Sequence, residues 1–256
     1  MRWSPDHYLK YADHRLRPAL DLLARIPLDQ AEQVVDLGCG PGTMVEALLQ
    51  AFPTAELTGI DNSEEMLARA QENFANQATW QNADVALWTP KTPPDLIFSN
   101  AALHWLDDHE ALFSRLFGFV TSGGVLAVQM PNQFDQPSHV AMREVAGVGP
   151  WAEALKPFLR PAAVAKPEDY YAWLKPQAKS IDLWKTEYVH ELKGDDPALD
   201  WISSTALNPL LEALGENHRE DFRTALAQKL KKAYPKHQNG TTLFPFKRLF
   251  MVAVKA

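Results

Sequence analysis

The sequence predicts an α/β fold in which a doubly wound, mostly parallel, seven-stranded sheet carries helical insertions as a lid. Three observations lead there. Short β-rich runs alternate with helix-periodic runs from residue 34 to about 130, the signature of successive βαβ units. A glycine-rich stretch joins the first of these strands directly to the first helix. Two further strand-like runs, at 180–192 and 247–255, are separated by a helical stretch too long for a hairpin loop.

The first five strands are VVDL (34–37), ELTGI (56–60), a weak run at 79–81, DLIFSN (95–100) and VLAVQM (125–130). Between the first two, Met44, Val45, Leu48, Leu49 and Phe52 recur at helical spacing and predict a helix that starts at the glycine turn. Ser63 is the expected N-cap of the next helix; Glu64 and Glu65 occupy its first turn, where carboxylates suit the positive end of the dipole. Beyond Pro131 prolines are frequent up to residue 176, with Trp151, Phe158, Tyr170, Tyr171 and Trp173 scattered among them, which predicts irregular helical cover. From about 197 to 234 the pattern is again helical, and the two late strands are expected to complete one edge of the sheet. These boundaries give a single domain over 1–256. It has a helical N-terminal cover at 1–30, a core at 31–131, and helical insertions at 132–180 and 193–246 that form the lid.

The bulk properties exclude several classes of function. No apolar run approaches the ~20 residues of a membrane helix, and the N-terminus MRWSPDHYLKYADHR lacks the apolar stretch of a signal peptide. A soluble, cytoplasmic protein with no membrane partner is expected. The single cysteine, Cys39, cannot form an internal disulfide, and no Cys/His cluster has zinc-site spacing, so no structural metal is expected. A formal charge of −7 argues against nucleic acid as a partner, because neutralising phosphates takes a concentrated basic patch. Lys10, Arg15 and Arg17 near the N-terminus could still hold one small anion. The oligomeric state is left open, with a monomer favoured.

The most informative segment is VVDLGCGPG, which sets Asp36, Gly38, Gly40 and Gly42 at a strand end immediately before a helix. Glycines there let the backbone approach a ligand closely. A nicotinamide fingerprint would need its third glycine at position 43, where Thr43 stands; the pattern is D-x-G-x-G-x-G, which argues against a nicotinamide oxidoreductase. Cys39 is read as a small residue tolerated by close packing, with no nucleophilic role. Asp61 follows Gly42 by 19 residues, at the end of the second strand, where an acid can accept hydrogen bonds from ribose hydroxyls. DLIFSN then runs into AALHWLDD, which places Asn100, His104 and Trp105 just past the carboxyl end of the fourth strand, where open α/β sheets expose ligands. His104 could be a general base or a hydrogen-bonded wall residue, and Trp105 a pocket wall.

The glycine loop and its downstream acid resemble the first motif of class I S-adenosylmethionine-dependent methyltransferases, a Rossmann-like superfamily. The resemblance implies S-adenosyl-L-methionine as cofactor and S-adenosyl-L-homocysteine as product, with the loop cradling the methionine part. Asp84 of NADV, after the third strand, would then receive the adenine amino group. The cofactor-binding set implied is Asp36, Gly38, Cys39, Gly40, Gly42, Asp61, Asn62, Met66, Asp84, Val85 and Asn100. Over most of its length the chain further resembles the trans-aconitate 2-methyltransferases. Trp3, Pro5, Tyr8 and RLRPALDLLARIPL (15–28), then DLGCGPG, TGID, DLIFSNAALHWL, VLAVQMP, MREVA (142–146) and RLFMVA (248–253) carry that likeness. It is thinnest at 147–180 and 193–233.

This resemblance implies methyl esterification of one carboxylate of a small polycarboxylic acid. A carboxylate with a reference pKa of about 4 is already ionised at neutral pH, so no catalytic residue is required. Positioning is expected instead from Tyr8, His104 and Trp105; in-line alignment is worth up to ~7–11 kcal/mol in well-oriented systems. Charge is lost as the methyl group transfers, so a cation on the reacting oxygen would stabilise the ground state more than the transition state. Arginines should therefore grip the other carboxylates, and Arg15, Arg17, Arg143 and Arg248 are the candidates, with Tyr8 and Trp105 closing the pocket. Two alternatives stay open: methyl transfer to an amine, phenol or quinone carbon with His104 as base, and a cofactor-binding protein without turnover.

Overall fold

The computed structural model describes residues 12–159, 161–203 and 205–256, the side chains of residues 12–15 and 217 excepted. Its first half runs α1 (Ala12–Leu23), β1 (Gln33–Leu37), α2 (Val45–Ala51), β2 (Glu56–Asp61), α3 (Glu64–Phe74), β3 (Thr79–Asn82), β4 (Leu96–Asn100), α4 (His109–Phe119) and β5 (Val125–Pro131). Then follow α5 (Pro137–Ala146), α6 (Ala152–Leu155), α7 (Pro167–Leu174), β6 (Ala178–Leu192), α8 (Pro197–Ser203), α9 (Asn208–Ala213), α10 (Glu216–Ala233) and β7 (Thr242–Lys255). The strand order is β3-β2-β1-β4-β5-β7-β6. β1 pairs in parallel with β2 on one side and β4 on the other, and β7 pairs antiparallel with β5. The order therefore reverses between β1 and β4, which opens a crevice at their carboxyl ends.

The sheet is the seven-stranded, mostly parallel one the sequence predicts, and its strands are apolar for a physical reason. Parallel strands covered by helices on both faces cannot alternate, so VVDL and LIFS are buried almost throughout. Ser63 caps α3 as expected, its Oγ accepting the Met66 amide at 3.3 Å. β7 begins five residues before the predicted 247. Pro245 argues against a strand there because it has no N–H to give a ladder. The pairing with β5 runs from Arg248 to Val254, past Pro245, so that ladder asks no N–H of it.

The described chain divides into two compact units. The first comprises Asp13–Pro131, Ala163–Thr186 and Arg248–Ala256. Its core joins Leu37, Ile60 and Ile97 of the sheet to Phe113 and Phe117 of α4. Helix α7 groups here, although the sequence boundary counted it with the 132–180 insertion; its Tyr170 ring lies 4.8 Å from that of Phe113. The second unit contains Asn132–Ala162 and Glu187–Lys247. There α10 presents Phe222, Leu226 and Leu230 at four-residue spacing to a core with Trp201 and Phe244. His190 stacks on Trp201 in that core at 4.5 Å.

Candidate functional site

In the sheet unit the carboxyl ends of β1 to β4 carry most of the predicted residues. The glycine loop after β1 is sewn to the end of β2: the amides of Gly38 and Cys39 both donate to the Ile60 carbonyl, at 2.7 and 3.0 Å. Gly38, at φ +72°, fits because a side chain would collide with Ala102, whose Cβ lies 2.1 Å from where its own Cβ would stand. Gly40, at φ +55°, is different. A Cβ there would meet nothing within 4 Å, so the absent side chain leaves open space over the loop.

Two carboxylates flank the loop. Asp61 accepts the Gly40 amide through one oxygen and the Ser63 amide through the other, both at 2.9 Å. Asp36, on β1, is 4% exposed, and burial, then the Asp61 charge, raises its pKa to about 7. Burial likewise pushes the Cys39 thiol upward, with Asp36 and Asp61 adding to it, which disfavours its thiolate form. Asn62 is exposed beside Asp61, and Met66 is buried one turn into α3. Trp80 of β3 supports the loop from beneath, since Cβ atoms at Gly42 and Gly59 would both strike its ring.

Past β3, Asp84 is exposed and its Oδ1 accepts the Ala86 amide at 2.8 Å, an Asx turn. The neighbouring backbone is held by Arg115 of α4. Its guanidinium donates to the carbonyls of Trp88 at 2.5 Å, Ala86 at 2.8 Å and Val85 at 3.1 Å. The Val85 side chain is buried.

At the end of β4, Asn100 has a buried Oδ1 with no hydrogen-bond partner among the described residues. Ala101 follows at φ +53° and donates to the Gln129 carbonyl at 2.9 Å. The rings of His104 and Trp105 lie 4.7 Å apart, with Trp105 40% exposed. This turn is anchored by buried His109. Its Nε2 lies 3.1 Å from the Leu103 carbonyl and its Nδ1 2.5 Å from Tyr170 Oη, which itself accepts the Ala165 amide at 3.1 Å. A carbonyl only accepts, so the proton sits on Nε2 and the Tyr170 hydroxyl donates to Nδ1. Burial lowers the His109 pKa, which suits this neutral tautomer.

The predicted arginines fall in different units or outside the described residues. Tyr8 and the Arg15 side chain lie outside the described residues, and Arg17 is exposed on α1. Arg143 belongs to the second unit, its guanidinium carbon 3.7 Å above the Phe134 ring. Arg248 is 3% exposed in the sheet unit, opposite Pro131, with Nη1 donating to Gln129 Oε1 at 3.2 Å. Gln129 escaped the sequence reading despite a usable signal: it is the one polar residue in the apolar run VLAVQM. Arg115, His109 and Trp80 were missed because their partners are mostly backbone atoms or glycines distant in sequence.

Among the described residues no group of three or more His, Cys, Asp or Glu could hold a metal ion, and no helix is long and apolar enough to cross a membrane. Residues 34–124 match the family model described as a methyltransferase domain. The chain is 44% identical to a trans-aconitate 2-methyltransferase of Azoarcus sp. strain BH72, over 99% of each chain. It is 42% identical to one of Agrobacterium fabrum, over the whole of both. Among solved structures, the YcgJ protein from Bacillus subtilis superposes with a TM-score of 0.57 at 16% identity, covering 93% of this chain and 98% of that one. The Haemonchus contortus phosphoethanolamine N-methyltransferase 2 complex with S-adenosylhomocysteine gives 0.56 at 18%, over 93% of this chain and 52% of that one.

Proposed function

The chain belongs to the trans-aconitate 2-methyltransferases, S-adenosylmethionine-dependent enzymes, and from that premise we propose that it makes the monomethyl ester of trans-aconitate or a close polycarboxylic relative. The observation that carries the acid assignment is identity of 42–44% over essentially the full length of relatives so named. A buried guanidinium, Arg248, at the carboxyl end of β5 supports it.

The described residues fit the cofactor. Open space over Gly40, the Asp61 carboxylate bonded beside it and the unpartnered Asn100 oxygen suit a ligand with hydroxyl and ammonium donors. When bound, S-adenosylmethionine supplies a methyl group on a positively charged sulfur. In this reading Asp61 and Asn62 hold ribose hydroxyls, Asp84 and the Val85 backbone hold adenine, and Met66 lines the ring. The Gly38–Gly42 backbone with Cys39 follows the methionine chain, while Asp36 and Asn100 face its positive end. No side chain has to move a proton, because the acceptor carboxylate is already ionised. His104 and Trp105 wall the acceptor side. Arg248, with Arg15, Arg17 and Arg143 as further candidates, holds carboxylates other than the reacting one. A cytoplasmic monomer with no nucleic-acid partner, and a lid from residues 132–180 and 193–246, complete the proposal.

Transfer of a tritiated methyl group tests the bond type. A carboxyl ester releases its label as methanol on mild alkali; label retained after alkali means N-, C- or ether O-methylation and overturns the reading.

A further inference from the structure

We propose that Arg115 is a positioning residue for the adenine end of the cofactor, acting by fixing the 84–88 turn that presents Asp84; this rests on the adenine role of Asp84 given above. The turn belongs to no strand or helix. Its own bonds, Leu87 and Trp88 amides to the Asp84 carbonyl and the Ala86 amide to Asp84 Oδ1, close it locally but leave the carbonyls of Val85, Ala86 and Trp88 without partners from within the turn. Arg115 takes all three from 27 to 30 residues away. Its guanidinium is itself braced, 5.5 Å over the Phe119 ring, which meets Trp88 edge-on at 6.2 Å.

The charge arrangement matters as much as the bonds. Asp84 and Arg115 attract each other, yet no ion pair joins them among the described residues, and Arg115 directs its donors to carbonyls. Asp84 Oδ1 is used by the Ala86 amide, and among the described residues Oδ2 takes no hydrogen bond. The second carboxylate oxygen, on a turn braced by Arg115, is therefore left to accept from an amino group. Arg115 reaches its three carbonyls from two nitrogens held in one plane, whereas a lysine would have to reach all of them from a single nitrogen.

The experiment compares binding of S-adenosylhomocysteine and S-inosylhomocysteine, which replaces the adenine amino group with an oxygen, to wild type, Arg115→Ala, Arg115→Lys and Asp84→Asn. Wild type is expected to prefer the adenine ligand at least tenfold, and Asp84→Asn to abolish that preference. Both Arg115 variants are expected to reduce it below threefold, while KM for S-adenosylmethionine rises more than kcat falls. Arg115→Lys keeps the charge, so it remains informative if Arg115→Ala does not fold. Equal weakening of both ligands with the preference intact would show a merely structural arginine and overturn the proposal. Absence of any preference in wild type, or its survival in Asp84→Asn, would instead overturn the reading of Asp84 and the proposal with it.

Discussion

The Asp61 carboxylate accepts the Gly40 amide at 2.9 Å, so the acid that ends β2 is bonded to the glycine loop that follows β1. Its other oxygen takes the Ser63 amide where α3 begins. One carboxylate thus joins a loop, a strand end and a helix start around the proposed ribose position. Asp61→Asn keeps the shape but loses the charge and one accepting oxygen. Hydrogen bonds to charged groups contribute ~1.5–3 kcal/mol, so cofactor Kd should rise roughly 10- to 100-fold in titration calorimetry. A Kd within twofold of wild type would remove Asp61 from the site.

Gly38 and Gly40 should respond differently to alanine. Gly38→Ala drives a methyl group into Ala102 and strains a positive φ, so it should lower stability by about 2 kcal/mol or more. Gly40→Ala meets only open space and bears about 1–2 kcal/mol of backbone strain, but its methyl group intrudes where the cofactor is proposed to lie. Chemical denaturation and cofactor titration of both variants separate the effects. Cofactor affinity unaffected by Gly40→Ala would argue that the space over the loop is not occupied.

Asp36 gives a pH signature. Its pKa is about 7 in the folded protein against an ordinary 3.8, so between those values the native state keeps a proton that the unfolded chain has lost. Its contribution to stability therefore falls as pH rises through that window, by an amount on the order of 4 kcal/mol. Asp36→Asn should melt progressively higher than wild type as pH goes from 4 to 8, while binding the positively charged cofactor more weakly. Melting curves that stay parallel across this range would contradict the assignment.

Arg248→Lys tests the acid-binding side. A lysine keeps the charge but cannot reproduce a forked carboxylate contact, so KM for the acid should rise at least tenfold with cofactor Kd nearly unchanged. Equal loss of both would assign Arg248 a structural role through its bond to Gln129.

The sheet was legible because burial on both faces writes continuous apolar runs into β1, β4 and β5, and because the glycine loop marks where the first strand must turn into a helix. Asp61 and Asn100 could be singled out from their places at strand ends, and Asp84 only through the family resemblance. Arg115 was not, since its three partners are backbone carbonyls that any sequence would offer. His109 was hidden for a similar reason: a histidine opening a helix reads as solvated, and only the approach of Tyr170 and the Leu103 carbonyl makes it an anchor. The arginines show the limit of reasoning from charge alone. Arg143 and Arg248 looked equivalent in sequence, yet one stacks on Phe134 and the other is enclosed beside Gln129.

The central claim is carboxyl methylation of a small polycarboxylic acid, and mass spectrometry of the purified protein with S-adenosylmethionine and trans-aconitate, cis-aconitate, isocitrate or citrate tests it most directly. The account predicts one monomethyl ester, formed fastest from trans-aconitate, with an equal amount of S-adenosylhomocysteine. Cofactor bound but no ester from any of these acids would contradict it.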